Sequence, residues 1–213
     1  MAVLDRPRQT TKTGLNERSI ARVLAVGFFA RKYLVMVPNC NWTGNECDLL
    51  ALDEKLRVID IEVKISRSDL KADADKYKWW HREFAGYGPQ TEIRGPCGEY
   101  IGMRQETIYN KTLREWPPKV WKHYYCMPAD IWSDDLIDAL PSPRSGVILL
   151  EQDRHGGLRH NLKRRAQPSK DAKPVPVEQA VNIARLASLR MWEWEMKASR
   201  KSDLAAPAGK DGE

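Results

Sequence analysis

The chain has 213 residues, 42% of them hydrophobic and 30% charged, which suits one domain with a real core and is too polar for a membrane protein. No stretch approaches the roughly 18 apolar residues of a membrane span, and no apolar signal region follows the basic N-terminal residues, so a cytoplasmic protein is expected. A net charge of +6 and a pI near 9.1 are compatible with a polyanionic partner such as nucleic acid, and the four cysteines lack zinc-finger or C-x-x-C spacing and read as free, mostly buried thiols.

Residues 1–12 read as a frayed polar end, after which Thr13 is placed to cap a helix over 15–30 with Ile20, Val23, Leu24, Val26 and Phe28 on its apolar face. Residues 33–37 form a first short strand, and Pro38, Asn39, Asn41, Gly44 and Asn45 mark a loop. Residues 47–52 are a second strand, Asp53, Glu54 and Lys55 a turn, and residues 57–65 the best strand pattern in the chain. Ser66 and Asp69 match a helix-capping pattern, which predicts a helix from there through Trp80. Residues 81–119, broken by seven glycines and prolines between 86 and 102, read as a long loop or insertion with a short helix around 105–113. A strand over 121–127, a short helix over 129–140, and a hairpin of 146–152 with 158–165 across Gly156-Gly157 follow. Residues 168–176 are a linker, 177–199 a long helix, and the last dozen residues a disordered tail. The order of elements predicts a mixed α/β domain over 14–167, with helices packed on a central sheet, followed by the linker, C-terminal helix and tail.

Alternation along the best strand puts Ile59, Ile61, Val63 and Ile65 on one face and Asp60, Glu62, Lys64 and Ser66 on the other. Two readings stand: a strand with one face in water, or Glu62 and Lys64 pointing into a catalytic cleft. The segment upstream favours the cleft. A tight turn at 53–55 pairs the two strands antiparallel and brings Asp48 across from Glu62 on the same face. Two like carboxylates side by side repel, which a metal site has reason to tolerate. Magnesium accepts one or two carboxylates with waters and phosphate completing its shell. Asp48 and Glu62 would supply those carboxylates, the Val63 carbonyl a further oxygen, and Lys64 positive charge near the attacking water or scissile phosphate.

The run Glu46-x-Asp48, then Ile61-Glu62-Val63-Lys64, then Ser66-Arg67-Ser68-Asp69-Leu70-x-x-Asp73 resembles the PD-(D/E)xK nuclease superfamily. Within it the chain is most similar to the MmcB-like DNA-repair endonucleases and related phage proteins, including a Y-x-x-P segment (Tyr125 to Pro128) and a G-V-I-L strand (Gly146 to Leu149). Cys47 stands where the motif's name has proline. The resemblance implies a restriction-endonuclease-like mixed sheet flanked by helices, a Mg2+ cofactor with Mn2+ as substitute, DNA as substrate, and Asp48, Glu62 and Lys64 as catalytic residues. It also implies an acid on the first helix as an extra metal or water ligand. Glu17 is the candidate, with a first-turn acid favoured by the helix dipole as the alternative. Ser66 and Asp69 read as helix-capping support for the site. Asp69 and Asp73 share a helix face and either orient Lys64 or Lys76 or are solvated. Trp79 and Trp80 read as packing residues.

Arg154, Arg159, Lys163 and Arg164 on the second hairpin either follow a phosphate backbone or protect a solvated sheet edge by charge. No base-reading helix stands out. Three functions are open: a metal-dependent DNA endonuclease, a non-catalytic nucleic-acid-binding module on the same fold, and an RNA nuclease. The C-terminal helix, with Trp192 and Trp194, serves either a homodimer or its own domain.

Overall fold

The computed structural model describes residues 15–30, 32–155 and 157–205. In chain order the elements are α1 (Glu17–Val23), continued by a π-helical turn (Leu24–Phe28), then β1 (Val35–Cys40), β2 (Cys47–Leu52), β3 (Val58–Val63) and α2 (Arg67–Ala72). Two 3-10 turns (Asp73–Asp75 and Tyr77–Trp79) lead into β4 (Trp80–Arg94) and β5 (Tyr100–Leu113). After β6 (Val120–Pro128) come 3-10 turns at Ala129–Ile131 and Asp134–Ile137, then β7 (Gly146–Gln152), β8 (Leu158–Arg164) and α3 (Val177–Ala205).

Six of the strands form one mixed sheet in the order β1-β2-β3-β6-β7-β8, with the β3–β6 and β6–β7 pairs parallel and the others antiparallel. The mixed α/β architecture with helices against a central sheet is therefore the observed one. Alternation divides the side chains as the period-2 pattern requires. One face, with Leu49, Ala51, Ile59, Ile61, Val63 and Ile148, is covered by Ile20, Leu24 and Phe29 of the first helical segment. The opposite face carries two separate apolar clusters. One joins Val37, Leu50, Leu52 and Val58 to Ala180 and Ile183 of α3; the other joins Leu70 and Trp79 to Tyr125, Met127, Val147 and Leu149. The charged face of β3 lies between them.

The β2–β3 register matters most for the site, and the turn sets it. The Asp53 carboxylate accepts the backbone N–H of Lys55 (3.0 Å) and Arg57 (2.8 Å) and pairs with the Arg57 guanidinium. That closed turn pairs Leu52 with Val58, Leu50 with Asp60 and Leu49 with Ile61. A slip of one residue would carry Asp48 to the other face. Pro38 sits inside β1, which tolerates it because β1 is a sheet edge.

Several expectations are corrected. The proposed Thr13 cap lies outside the described residues; α1 is capped by Asn16, whose side chain accepts the Ser19 N–H while the Ser19 hydroxyl accepts the Asn16 N–H. The helix expected to reach Trp80 stops at Ala72, and the segment 81–119 is no loop with a helix but chiefly a long antiparallel hairpin of β4 on β5. The helix expected over 129–140 is two 3-10 turns. The stretch 168–176 is no free linker, since Ser169 N donates to Trp121 O (2.8 Å) and Val175 N to Leu56 O (2.8 Å). With Val175, Ala180 and Ile183 in the core, α3 belongs to the same packed body as the sheet.

Candidate active site

Asp48 stands at the start of β2, just beyond the last ladder pair, and its Oδ2 accepts the Val63 N–H at 2.7 Å. Its side chain thereby takes over a sheet hydrogen bond and is held beside Glu62, at the roughly 5 Å spacing of cross-strand neighbours. Lys64 follows two residues on, its Nζ 3.0 Å from Glu62 Oε2. The structure thus brings Asp48, Glu62, Val63 and Lys64 together as the sequence predicted.

The predicted alternative of a solvated strand face does not hold: Asp60, Glu62 and Lys64 are 1%, 0% and 1% exposed. Burying such charges is possible only when each is paired, and the partners come from the segment after α2. Asp73 Oδ1 accepts Lys64 Nζ at 2.6 Å; Lys76 Nζ reaches Glu62 Oε2 at 2.6 Å and Asp73 Oδ1 at 3.0 Å; Lys78 Nζ reaches Glu62 Oε1 at 2.6 Å and Asp60 Oδ2 at 3.1 Å. The second oxygen of Asp73 accepts the Tyr125 hydroxyl (2.6 Å) and Trp79 Nε1 (3.1 Å). His123 lies 3.1 Å from Lys78 Nζ through Nε2 and 3.1 Å from Ser145 Oγ through Nδ1.

This network explains why α2 is short. A regular helix would carry Lys76 and Lys78 to different sides. The chain instead turns extended at Lys76 (φ −65°, ψ 145°), which lets Asp73, Lys76 and Lys78 all face β3. Satisfying buried carboxylates outweighs local helix preference. Sequence reasoning missed His123 and the closure of Glu62 by Lys76 and Lys78, and marked Tyr125 only within the Y-x-x-P segment; its reading of Asp73 as a group that orients Lys64 or Lys76 holds, since Asp73 pairs with both. The one available signal was the i,i+2 spacing of the two lysines, which suits an extended segment and not a helix.

Electrostatics separate the acids. Burial pushes Glu62 up, but the charges of Lys78, Lys64 and Lys76 outweigh it and bring the carboxyl down to about 2. Asp73 is likewise driven down, its burial overcome by Lys64, Lys78 and Lys76. Asp48 goes the other way: burial, then the charge of Glu62, pushes it up to about 7 against the Val63 N–H. Asp60 is also raised by burial, with Lys78 opposing. Burial and the neighbouring Lys78 ammonium hold His123 well below its ordinary range, so it is neutral.

A stability profile with pH follows. Glu62, lowered from 4.5 to about 2 on folding, adds stability that is complete above pH 4.5 and is lost as pH falls toward 2. Asp48, raised from 3.8 to about 7, has the opposite sign: its contribution is present below pH 3.8 and is lost as pH rises through 7, at up to about 1.4 kcal/mol per pH unit. The expected urea midpoint is therefore highest near pH 4, where the Glu62 contribution is almost complete and the Asp48 contribution has only begun to fall, and lower at both pH 3 and pH 8. A midpoint that climbs steadily from pH 5 to pH 8 would contradict the placement of Asp48.

A cleft of about 750 Å³ opens beside Asp48, lined by Glu17 and Arg18 of α1, Ser66 and Asp69 at the start of α2, and Arg190 and Trp194 of α3. Glu17 thus shares the cleft with Asp48. Ser66 caps α2 through the Asp69 N–H (3.1 Å), which bears out the capping expectation. Glu62 and Lys64 do not line the cleft; the one lysine of the network that reaches solvent is Lys76, its side chain 44% exposed. Among the described residues no three His, Cys, Asp or Glu side chains stand together as a ready metal cage. Trp79 is fully buried, in keeping with a packing role.

The basic hairpin lies elsewhere. β8 is the far edge of the sheet, separated from β3 by β6 and β7, roughly 14 Å at the usual strand spacing. Arg154 and Arg159 are exposed there, and Lys163 pairs with Asp134 at 2.8 Å. Arg164 turns inward, its Nε donating to Ser145 O at 2.8 Å, so its guanidinium serves the fold and does not present itself to a phosphate.

No protein-family model matches the chain, and no curated protein matches it. Among solved structures, a protein of unknown function from Silicibacter pomeroyi is similar at 16% identity and a TM-score of 0.45, over 91% of this chain and 94% of that one. No activity follows from that likeness. Among the described residues no helix is long and apolar enough to cross a membrane.

Proposed function

We propose that the protein is a metal-dependent DNA endonuclease of the PD-(D/E)xK type, acting in the cytoplasm in repair, recombination or phage DNA metabolism. The observation that carries this reading is a surplus of negative charge at one place. Lys64, Lys76 and Lys78 balance Asp60, Glu62 and Asp73 one for one, and Asp48 is left over, beside Glu62, facing the cleft and without an ion pair among the described residues. A structural network would have little use for that fourth carboxylate, whereas a cation site would.

The donor set is of the kind a hard divalent cation accepts, carboxylate oxygens on adjoining strands, but of Asp48 and Glu62 only Asp48 faces the cleft, and Glu62 has to be uncovered before it can join. Asp48 and Glu62 would hold it, with Lys76 giving up its hold on Glu62 Oε2, and Glu17, which also lines the cleft, would be an added acid. When bound, Mg2+ or Mn2+ supplies a polarised phosphate and a more acidic water. Lys64, fixed by Asp73, keeps Glu62 oriented and adds positive charge where phosphorus gains negative charge.

The test is cleavage of plasmid, linear and branched DNA with Mg2+ or Mn2+ against chelator. Wild type is expected to cut at least one substrate, and Lys64→Ala and Lys64→Met none, with folding of both variants verified by thermal unfolding. Absence of metal-dependent cutting by wild type on every substrate, or undiminished cutting by the Lys64 variants, rejects the enzyme.

One observation favours a second reading. Both oxygens of Glu62 are already held by ammonium groups under a closed surface. A module that binds nucleic acid without cutting would keep the network in this form. Binding without cleavage in the same experiments would select it. In either case Arg154, Arg159 and Lys163 are the phosphate candidates. Arg159→Ala with Lys163→Ala is expected to reduce the slope of log affinity against log salt by about 1 for each phosphate that is no longer neutralised, measured by gel shift at several salt concentrations. An unchanged slope assigns β8 to edge protection alone.

A further inference from the structure

The β4–β5 hairpin is a two-stranded sheet of its own, 15 and 14 residues long, and its strands pair with each other along nearly their whole length. At about 3.3 Å per residue it projects roughly 50 Å. It is tied to the body at its base, where Arg114 N donates to Trp79 O (2.7 Å) and the Arg82 guanidinium lies over the Tyr77 ring. Its tip is a tight turn in which Gly98, at φ +83°, donates to Gly95 O. An isolated two-stranded ribbon is at best marginally stable in water, and among the described residues no further strand pairs with either outer edge of this one.

The surface of the arm is the unusual feature. Phe84, Tyr87, Ile93, Tyr100, Ile101 and Met103 are exposed, Tyr87 by 66% and Tyr100 by 61%, and Ile108, Tyr109 and Leu113 add to them. At about 150–250 Å² for each large side chain, the face that carries Phe84, Tyr87, Met103, Tyr109 and Leu113 leaves on the order of 500 Å² of apolar side chain uncovered, so that two such faces together reach the roughly 1,000 Å² at which a specific interface begins. Its charge argues against a polyanion: three arginines and a lysine are cancelled by four glutamates, so the +6 of the chain resides outside it. A neutral surface of mixed signs is self-complementary.

The geometry points to the arm as a homodimerisation element: two copies of the chain pair arm to arm, antiparallel about a twofold axis, with the face that carries Phe84, Tyr87, Met103 and Tyr109 on one copy set against the same face of the other. An isologous contact of this kind stops at two copies. The inference stands apart from the catalytic reading and holds whether or not the protein cuts DNA.

Full-length protein is expected to sediment as a dimer at tens of micromolar. Phe84→Asp with Tyr87→Asp on β4, and Ile101→Asp with Met103→Asp on β5, should each halve the mass, since both place carboxylates on the paired face. These side chains are at least half exposed apart from Met103, at 49%, so unfolding of the sheet is not expected and is checked by circular dichroism. Cys97 at the tip is exposed while Cys40, Cys47 and Cys126 are buried, so a spin label can be placed there selectively. Antiparallel overlap predicts a label separation of about 40–50 Å between copies. A monomeric wild type, a double variant that keeps the dimer mass, or labels closer than about 20 Å would each overturn the arrangement. So would a monomer whose arm gains protection from proteolysis only when DNA is added, which would give the arm to nucleic acid.

Discussion

Asp73→Ala is expected to destabilise the fold by about 4 kcal/mol, the scale for breaking a buried ion pair on one side, read as a fall in the urea midpoint at pH 7. The carboxylate accepts four groups: Lys64, Lys76, Trp79 Nε1 and the Tyr125 hydroxyl. Its removal leaves Lys64 with Glu62 alone and orphans two buried donors, each of which adds about 1–3 kcal/mol of uncompensated desolvation. Against a total stability of about 5–15 kcal/mol, the alanine variant stands at the edge of folding. Asp73→Asn, which keeps an acceptor oxygen for Trp79 or Tyr125, is the milder companion and should fall between wild type and alanine. A loss under about 1 kcal/mol for both would mean that the charged face of β3 is wetter than its burial indicates.

Asp48→Asn is expected to act in opposite senses on activity and stability. Removing the carboxylate takes away one of the two proposed metal oxygens, and metal-dependent cleavage should fall by about 100-fold or more, the scale for losing one preorganised electrostatic group. Stability at pH 8 should stay level or rise by about 1 kcal/mol, because a half-buried charge beside Glu62, one whose pKa is pushed up to about 7, is gone. The variant should also flatten the fall in urea midpoint between pH 5 and pH 8. The pair of measurements separates a functional acid from a structural one. A structural Asp48, there only to hold the Val63 N–H, would keep that bond as asparagine and leave cleavage unchanged.

The contrast between these two acids shows how far the residues alone could be read. Asp48, Glu62 and Lys64 were legible because a strand has period 2 and a turn of known length fixes which residues face each other across a hairpin. Asp53, Lys55 and Arg57 close that turn within five residues of chain. The hairpin of β7 and β8 was legible for the same reason. That Lys76 and Lys78 close over Glu62 and Asp60 was not, since those partners lie 14 to 18 residues away and the segment's local preference is helical; Asp73 was legible only as one of two readings, the group that orients Lys64 or Lys76. The long arm was misread as a loop because glycines and a proline interrupt its alternation; the register shifts near Gly86 and between Tyr87 and Gln90 absorb those breaks without ending the ladder.

The sequence by itself determined the sheet's central hairpin, the face on which its acids stand and the chemistry those acids permit, because all three depend on contacts between near neighbours. Only the tertiary structure decided that this face is closed by three lysines, that of the four acids Asp48 alone opens onto a cleft, that the basic edge lies three strands from β3, and that the apolar arm is a sheet of its own. Those outcomes turn on which distant groups can satisfy a buried charge, and the free energy of that choice is absent from any local pattern.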